Sequence, residues 1–485
     1  MKGTFVGNES ISDFPSATLR GPDGSIQASV RGWIAQARTD AFRSIIANMG
    51  SLVGTTLVTA GLGYLYWILA ARQLPVAAVG IAGAAISAMT LLGTAGMLGF
   101  GTLLIGELPR HPGRERSLVA LGVTVAGVVG TMLGVTFAIV APALSPALAP
   151  LGADVGRMAL FGLGVGLTSV TLVLDHALIG LSRGALQLVR NALFAAAKLG
   201  ALLLASAWVP DADGLTIYGT WVAGNLISLA GLAAIVAWTR RGDKGTGARN
   251  ERLSAESQPL LNGPLRRLGR AALAHHALNL ALQAPYLVLP IVATTLLSAT
   301  VNAFFYIAWV LAGFVFIGPG HLATALYAAA ARTPAALASK VRFTLGLGLL
   351  VSIAANAAVF VGAGYLLGMF GEAYAEQAAW SLRVLGLWAF PLIVKDHYVV
   401  LRRLEGRAAS AAWVVAIAGV LELVMASAGA ALGGLSGLCV GWLLAGWLQV
   451  IVMLPTVYRA AHPSTVPDGS TEAVRTRPGL DEAKA

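Results

Sequence analysis

The chain has 485 residues, 57% of them hydrophobic and only 11% charged, with a formal net charge of +11. A soluble fold of this length cannot hide so much apolar surface, because it needs charged and polar residues to cover its outside. A polytopic helical membrane protein remains, since the apolar runs are too long and lack the period of two that a membrane β-barrel needs.

Residues 1–24 are polar and rich in Gly, Ser and Asp, a composition that does not build a core. In 25–45, Ile26, Val30, Trp33, Ile34, Ala37 and Phe42 share one helical face, with Arg31, Arg38 and Arg43 off it. That stretch reads either as an amphipathic helix on an anionic leaflet or as a continuation of the first span. Apolar runs of about 20 residues or more then predict twelve transmembrane helices. They fall at about 46–71, 76–106, 117–147, 157–181, 187–208, 214–239, 271–297, 301–331, 342–370, 376–401, 408–433 and 435–458. Several exceed what a bilayer needs, so tilts, kinks or interfacial ends are expected. The chain divides into a cytoplasmic tail (1–45), a six-helix half (46–239), a basic linker (240–270), a second six-helix half (271–458) and a tail (459–485).

Charge follows this topology. The tails and even-numbered loops hold 28 of the 33 Lys and Arg, and the odd-numbered loops hold only Arg72 and Arg157. The positive-inside rule puts both termini in the cytoplasm. A nucleic-acid face would instead gather charge on one folded surface, so nucleic acid is not an expected partner. Cys439 is alone and lies in a span, which excludes a disulfide framework and a cysteine metal cluster; no cofactor or metal is expected. The first span follows a tail too long and polar for a cleavable signal peptide.

The halves repeat. Asp175–His176 near the end of the fourth span recurs as Asp396–His397 near the end of the tenth, an offset of 221 that also aligns the starts of the first and seventh spans. Six spans per half make both halves enter the membrane in the same direction. Such halves are related by an axis along the membrane normal, with a central cavity between them.

Several stretches carry a family likeness: Ala71-Arg72-Gln73-Leu74, Val79-Gly80, Ser87 and the glycines from Gly96 to Gly101 before a basic loop. Others are Arg190-Asn191 through Lys198, Phe370-Gly371-Glu372-Ala373-Tyr374-Ala375, Leu404-Glu405-Gly406-Arg407, and Gly434 to Gly437. In this order, over residues 46–458, the chain resembles the polysaccharide and O-antigen flippases of the multidrug/oligosaccharidyl-lipid/polysaccharide exporter superfamily. The resemblance implies a carrier of the bacterial plasma membrane that moves a lipid-linked oligosaccharide or polysaccharide precursor by alternating access. Its implied partners are that lipid-linked glycan, membrane lipids and polysaccharide assembly proteins. Two departures stand out. Proton-coupled drug exporters of the superfamily use an acid in the first helix, and residues 46–71 hold none. Lipid II flippases, which the chain also resembles, carry extra helices and several cavity arginines.

Charges inside spans cost several kcal/mol, about 2.5–3.5 on insertion scales, unless paired or wetted. Asp175 and Lys198 flank the turn expected at about 182–190 and sit at equal depth across that hairpin, so they read as a salt bridge. The pair either locks the hairpin or lines the cavity and binds substrate or a coupling ion. His176 and His397 are either hydrogen-bonded core histidines or proton relays beside Asp396. Lys395 reads as snorkelling to the inner headgroups. Arg383 and Glu422 lie about one turn apart across the tenth and eleventh spans and read as a pair, with Arg383 a phosphate contact. His276, Asn279, Gln283 and Tyr286 form one polar stripe, which should face a cavity or partner helix. With Arg383 and Lys198 as cations, that stripe is the expected substrate lining. Pro285 and Pro290 should bend the seventh span, and Gly318-Pro319-Gly320 with His321 should break the eighth.

A membrane polysaccharide polymerase or glycosyltransferase is the runner-up class. Such enzymes need carboxylates or arginines in a sizeable outward loop; the outward loops here are short, the longest polar one holding Asp211–Asp213, with Glu372 and Glu376 besides. No nucleotide loop, metal spacing or nucleophile elbow appears, so no catalytic residue is named. Within the superfamily, a drug or cation antiporter and a lipid II flippase stay open.

Overall fold

The structure is a computed structural model that describes residues 61–242, 264–332 and 336–463. The expected surface helix at 25–45, the middle of the linker and most of the final tail lie outside the described residues. Thirteen helices follow in order among the described residues: α1 (61–73), α2 (Val76–Gly96), α3 (Phe100–Glu107), α4 (Glu115–Leu144), α5 (Val155–Gly180) and α6 (Gly184–Trp208). Then come α7 (Gly214–Gly242), α8 (Pro264–Leu296), α9 (Ala299–Arg332), α10 (Leu337–Gly368), α11 (Glu372–Gly386), α12 (Ala389–Leu404) and α13 (Ala408–Ala461).

Among the described residues ten segments are long and apolar enough to cross a bilayer, α11 and α12 together making one of them. α13 holds two crossings, because Gly433 and Gly434 leave the helical region inside it, Gly434 at φ +60°. The two arms lie back to back: a Cβ on Gly429 would overlap the carbonyl of Gly437, and one on Gly437 that of Gly429. With α1, which is described only from residue 61, this matches the twelve spans read from the sequence.

Breaks fall elsewhere than expected. α9 runs unbroken through Gly318-Pro319-Gly320. The eighth span is therefore not interrupted; a proline in a membrane helix loses one backbone bond without ending it when neighbours pack against it. The second and tenth spans are the ones interrupted. Leu98 and Gly99 both take positive φ between α2 and α3, where glycine relieves the strain of the second. Leu387 and Trp388 form the turn between α11 and α12.

Helix starts at the turns between α4 and α5, α6 and α7, and α8 and α9 are capped by side chains. Asp154, Asp213 and Ser298 accept from the backbone N–H of Arg157, Thr216 and Val301 at 2.9, 2.8 and 3.1 Å. Each satisfies a donor the helix cannot. The opposite end of the bundle carries the basic turns, with Arg110, Arg114, Arg183, Arg402, Arg403 and Arg407, and is called the basic face below.

The two halves meet through α1, α2, α8, α9 and the end of α10. Away from the basic face, Arg72 Nε donates to the Met369 carbonyl at 2.6 Å and Tyr64 to the Leu366 carbonyl at 3.2 Å. Deeper, Asn302 Nδ2 donates to the Gly80 carbonyl at 2.7 Å. Gly80 must be glycine there, since a Cβ would overlap the Ala299 carbonyl. Trp67 meets Tyr306 edge-on at 4.8 Å. This seam is aromatic and small-residue packing, the kind that holds membrane helices together without a hydrophobic driving force.

Candidate functional site

α8 brings Gln283 and Tyr286 to one wall of a cavity of about 460 Å³ inside the second half. α9 adds Gly320 and His321, α12 adds Lys395 and Asp396, and α13 adds Glu422 and Trp442. Aromatic rings make one wall rigid. Trp388 and Trp442 stack at 3.9 Å, Trp442 meets Trp309 at 4.6 Å, and Trp309 meets Tyr286 at 4.5 Å. The stack requires Gly446, where a Cβ would overlap the Trp388 ring.

A polar network lies beside this aromatic wall. Lys395 Nζ bonds Glu422 Oε1 at 2.7 Å, and both side chains are buried. Gln449 Nε2 donates to the same oxygen at 2.8 Å, and Trp442 Nε1 donates to Oε2 at 3.0 Å. The charges cancel and the carboxylate is fully bonded, which is how an ion pair survives burial. Asp396 differs: it faces the cavity and makes no ion pair or hydrogen bond among the described residues.

The first half holds a lone cation instead. Lys198 on α6 is 6% exposed. Its ammonium stands over the ring of Trp221 at 3.9 Å, with Phe194 at 4.9 Å and Tyr66 at 5.0 Å. No carboxylate pairs with it among the described residues. Cation–π contact returns about 2 kcal/mol when desolvated, less than the cost of burying a charge outright. The indole Nε1 of Trp221 is also buried and unpartnered.

Several expected partnerships are corrected. Asp175 does not pair with Lys198; its Oδ2 takes Arg190 at 2.6 Å. α6 starts at Gly184, so the turn is centred near Ser182–Arg183, and Arg190 is the residue at equal depth. Arg383 does not pair with Glu422. It lies on α11, beyond the turn at Leu387–Trp388, and its Nε donates to the Phe360 carbonyl of α10 at 2.9 Å. It also sits over the Phe360 ring, which is 67% exposed, and it does not line the cavity of the second half. Lys395 does not snorkel, because Glu422 holds it inside.

The polar stripe of α8 is divided among three neighbours. His276 is buried near Gly99 at the α2–α3 break, Asn279 Oδ1 accepts from Arg403 at 2.7 Å, and Gln283 and Tyr286 reach the cavity. His397 is a bonded core residue: Nε2 meets the Thr344 hydroxyl and Nδ1 the Ile393 carbonyl, each at 2.8 Å. His176 Nδ1 bonds the Leu172 carbonyl at 2.7 Å. Sequence reading named Lys395 but missed its role, and missed Trp442, Gln449, Trp221 and Tyr66 altogether. The recurrence of Trp221 as Trp442 at the same offset of 221 was the signal available for two of them.

Solved structures share this fold. The chain is similar to an inward-facing multidrug resistance MATE family transporter of the MOP superfamily, at TM-score 0.60 and 15% identity, over 84% of this chain and 94% of that one. An outward-facing structure of such a transporter matches at TM-score 0.58 and 14% identity, over 87% and 96%. A MATE structure in complex with MaL6 matches at 0.56 and 16%, over 87% and 97%. The protein is thus a multi-pass membrane protein, all-helical among the described residues, with the fold of MOP-superfamily transporters. Within that class, residues 45–260 match the family model described as polysaccharide biosynthesis protein, in agreement with the flippase likeness of the sequence. A comparison with curated proteins gave no match.

Proposed function

We propose that this protein is a flippase that carries a lipid-linked oligosaccharide or polysaccharide precursor across the bacterial plasma membrane. The observation that carries this reading is Lys198: a buried ammonium, caged by three rings, with no carboxylate to cancel it among the described residues. A sugar–diphosphate head group must cross about 30 Å of hydrocarbon, which does not solvate its negative charge. A carrier for it needs a cation that no protein carboxylate cancels. The family match of residues 45–260 supports the same substrate class. Two halves joined by a seam of small and aromatic residues suit alternating access, each half rocking against the other. The charge asymmetry of the loops makes the basic face cytoplasmic, with both termini on that side.

A drug or cation antiporter is the second reading, and Asp396 favours it as a cavity carboxylate without an ion-pair partner among the described residues. Reconstitution separates the two. Liposomes with the purified protein and a lipid-linked glycan are probed with an outside lectin, and parallel liposomes report dye efflux under proton or sodium gradients. Lectin exposure that depends on the protein, without dye efflux, is the expected result. Gradient-driven efflux without glycan exposure would establish the second reading instead.

A further inference from the structure

On the basic face, the ends of α9, α12 and α13 and the start of α10 leave a second cavity, of about 870 Å³. It is separate from the Lys395 network and from Lys198. Arg402, Arg403, Arg407 and Arg459 line it, with Glu405 as the one carboxylate among the described residues. Four like charges round one space repel each other, and Glu405, shared by Arg402 and Arg407, leaves a net positive charge on the described lining.

These guanidinium groups are only partly used. Arg402 bonds Glu405 Oε2 at 2.9 Å and Thr456 at 3.4 Å, and Arg403 bonds Asn279 at 2.7 Å. The Nε–H groups of Arg402 and Arg403 are buried and donate to nothing among the described residues. Arg407 stands 3.7 Å from the same Glu405 oxygen. Buried donors without an acceptor are costly, and arginine forks match phosphate oxygens in pairs.

One flank of the cavity adjoins the lipid side of the bundle. Thr456 and Arg459 line it, and Val452, one and two turns back along the same face of α13, is 67% exposed. A soluble anion would make no use of that apolar approach. A lipid would: its phosphate can meet the arginines while its chain lies along α13.

We infer that this cavity binds the phosphate of an anionic lipid headgroup. The lipid is either a glycerophospholipid of the surrounding leaflet or an isoprenoid diphosphate, and the shared chemistry is a phosphate attached to hydrocarbon. The site is defined by binding, so its test does not depend on whether the protein transports glycan.

The experiment is native mass spectrometry of the full chain in neutral detergent, titrated with phosphatidylglycerol, phosphatidylcholine and a polyprenyl diphosphate. Anionic lipid is expected to be retained several-fold better than phosphatidylcholine. Arg402→Gln with Arg403→Gln should weaken that retention about tenfold, and Arg157→Gln, on the opposite face, should not change it. Glu405→Gln should tighten it, which tests the site even if the double arginine variant fails to fold. Retention of both anionic lipids assigns the site to leaflet lipid, and retention of the polyprenyl diphosphate alone assigns it to isoprenoid carriers. Equal retention of phosphatidylcholine, wild-type retention by a folded double variant, or no tightening by Glu405→Gln would overturn the inference.

Discussion

Trp221 and Trp442 stand 221 residues apart, at matching places in α7 and in the second arm of α13, yet they serve opposite arrangements. Trp221 gives its ring face to the Lys198 ammonium at 3.9 Å. Trp442 gives its Nε1–H to Glu422, the carboxylate that neutralises Lys395, and its face to Trp388. The first half therefore keeps a cation uncancelled among the described residues, while beside the matching indole of the second half a carboxylate neutralises the lysine. The repeat preserves the position of the indole but not the charge beside it.

The uncancelled cation should matter for transport and not for stability. Lys198→Met removes a buried charge whose cost the aromatic cage only partly offsets. The variant should melt no lower than wild type in detergent while exposing lipid-linked glycan at least tenfold more slowly. Wild-type flipping by a folded Lys198→Met protein would remove Lys198 from the proposed mechanism.

Lys395 should behave in the opposite way. Lys395→Met leaves Glu422 buried with two neutral donors but no counter-charge, a loss of about 3–5 kcal/mol for a broken buried pair. Lys395→Met combined with Glu422→Gln should recover much of it, since both charges are then gone. Thermal or denaturant melts of the two single variants and the double variant form a cycle that reads the coupling directly. Additive losses would show that the two side chains do not act as a unit.

Arg72 ties the first half to the end of α10 through the Met369 carbonyl. Arg72→Ala should loosen that end of the seam. Spin labels on cysteines placed at Gln73 and Ala373, both exposed, report the separation. The native Cys439 is the chain's one cysteine and is buried, so labelling stays specific. Longer or broader distances are expected in the variant, and an unchanged distribution would show that Arg72 does not hold the halves together.

Gly446→Ala tests the aromatic wall. A methyl group there must push Trp388 out of its stack on Trp442, an overpacking strain of about 1–3 kcal/mol. A lower melting temperature together with a weaker near-ultraviolet dichroism signal is expected. An unchanged signal would mean that the wall yields without cost.

The order of the spans was legible in the sequence, and so was the concentration of Lys and Arg in alternate loops. Each of these depends on one segment and its solvent. About 20 apolar residues must cross hydrocarbon as a helix, because no other single segment satisfies its own backbone there. The reversal at Gly433–Gly434 was equally local, since the two spans meet there. Partners for the buried charges were not legible, because they depend on depth and rotation together. A turn centred a few residues earlier than expected moved Asp175 from Lys198 to Arg190. The turn at Leu387–Trp388 separated Arg383 from α12, where Lys395 met Glu422. The α8 stripe kept its spacing but met three different neighbours. Hydropathy is summed along a segment and survives small errors of register. A buried ion pair forms within about 4 Å, so one residue of helix rise or a fraction of a turn decides which charge finds which, and only the packed helices set that.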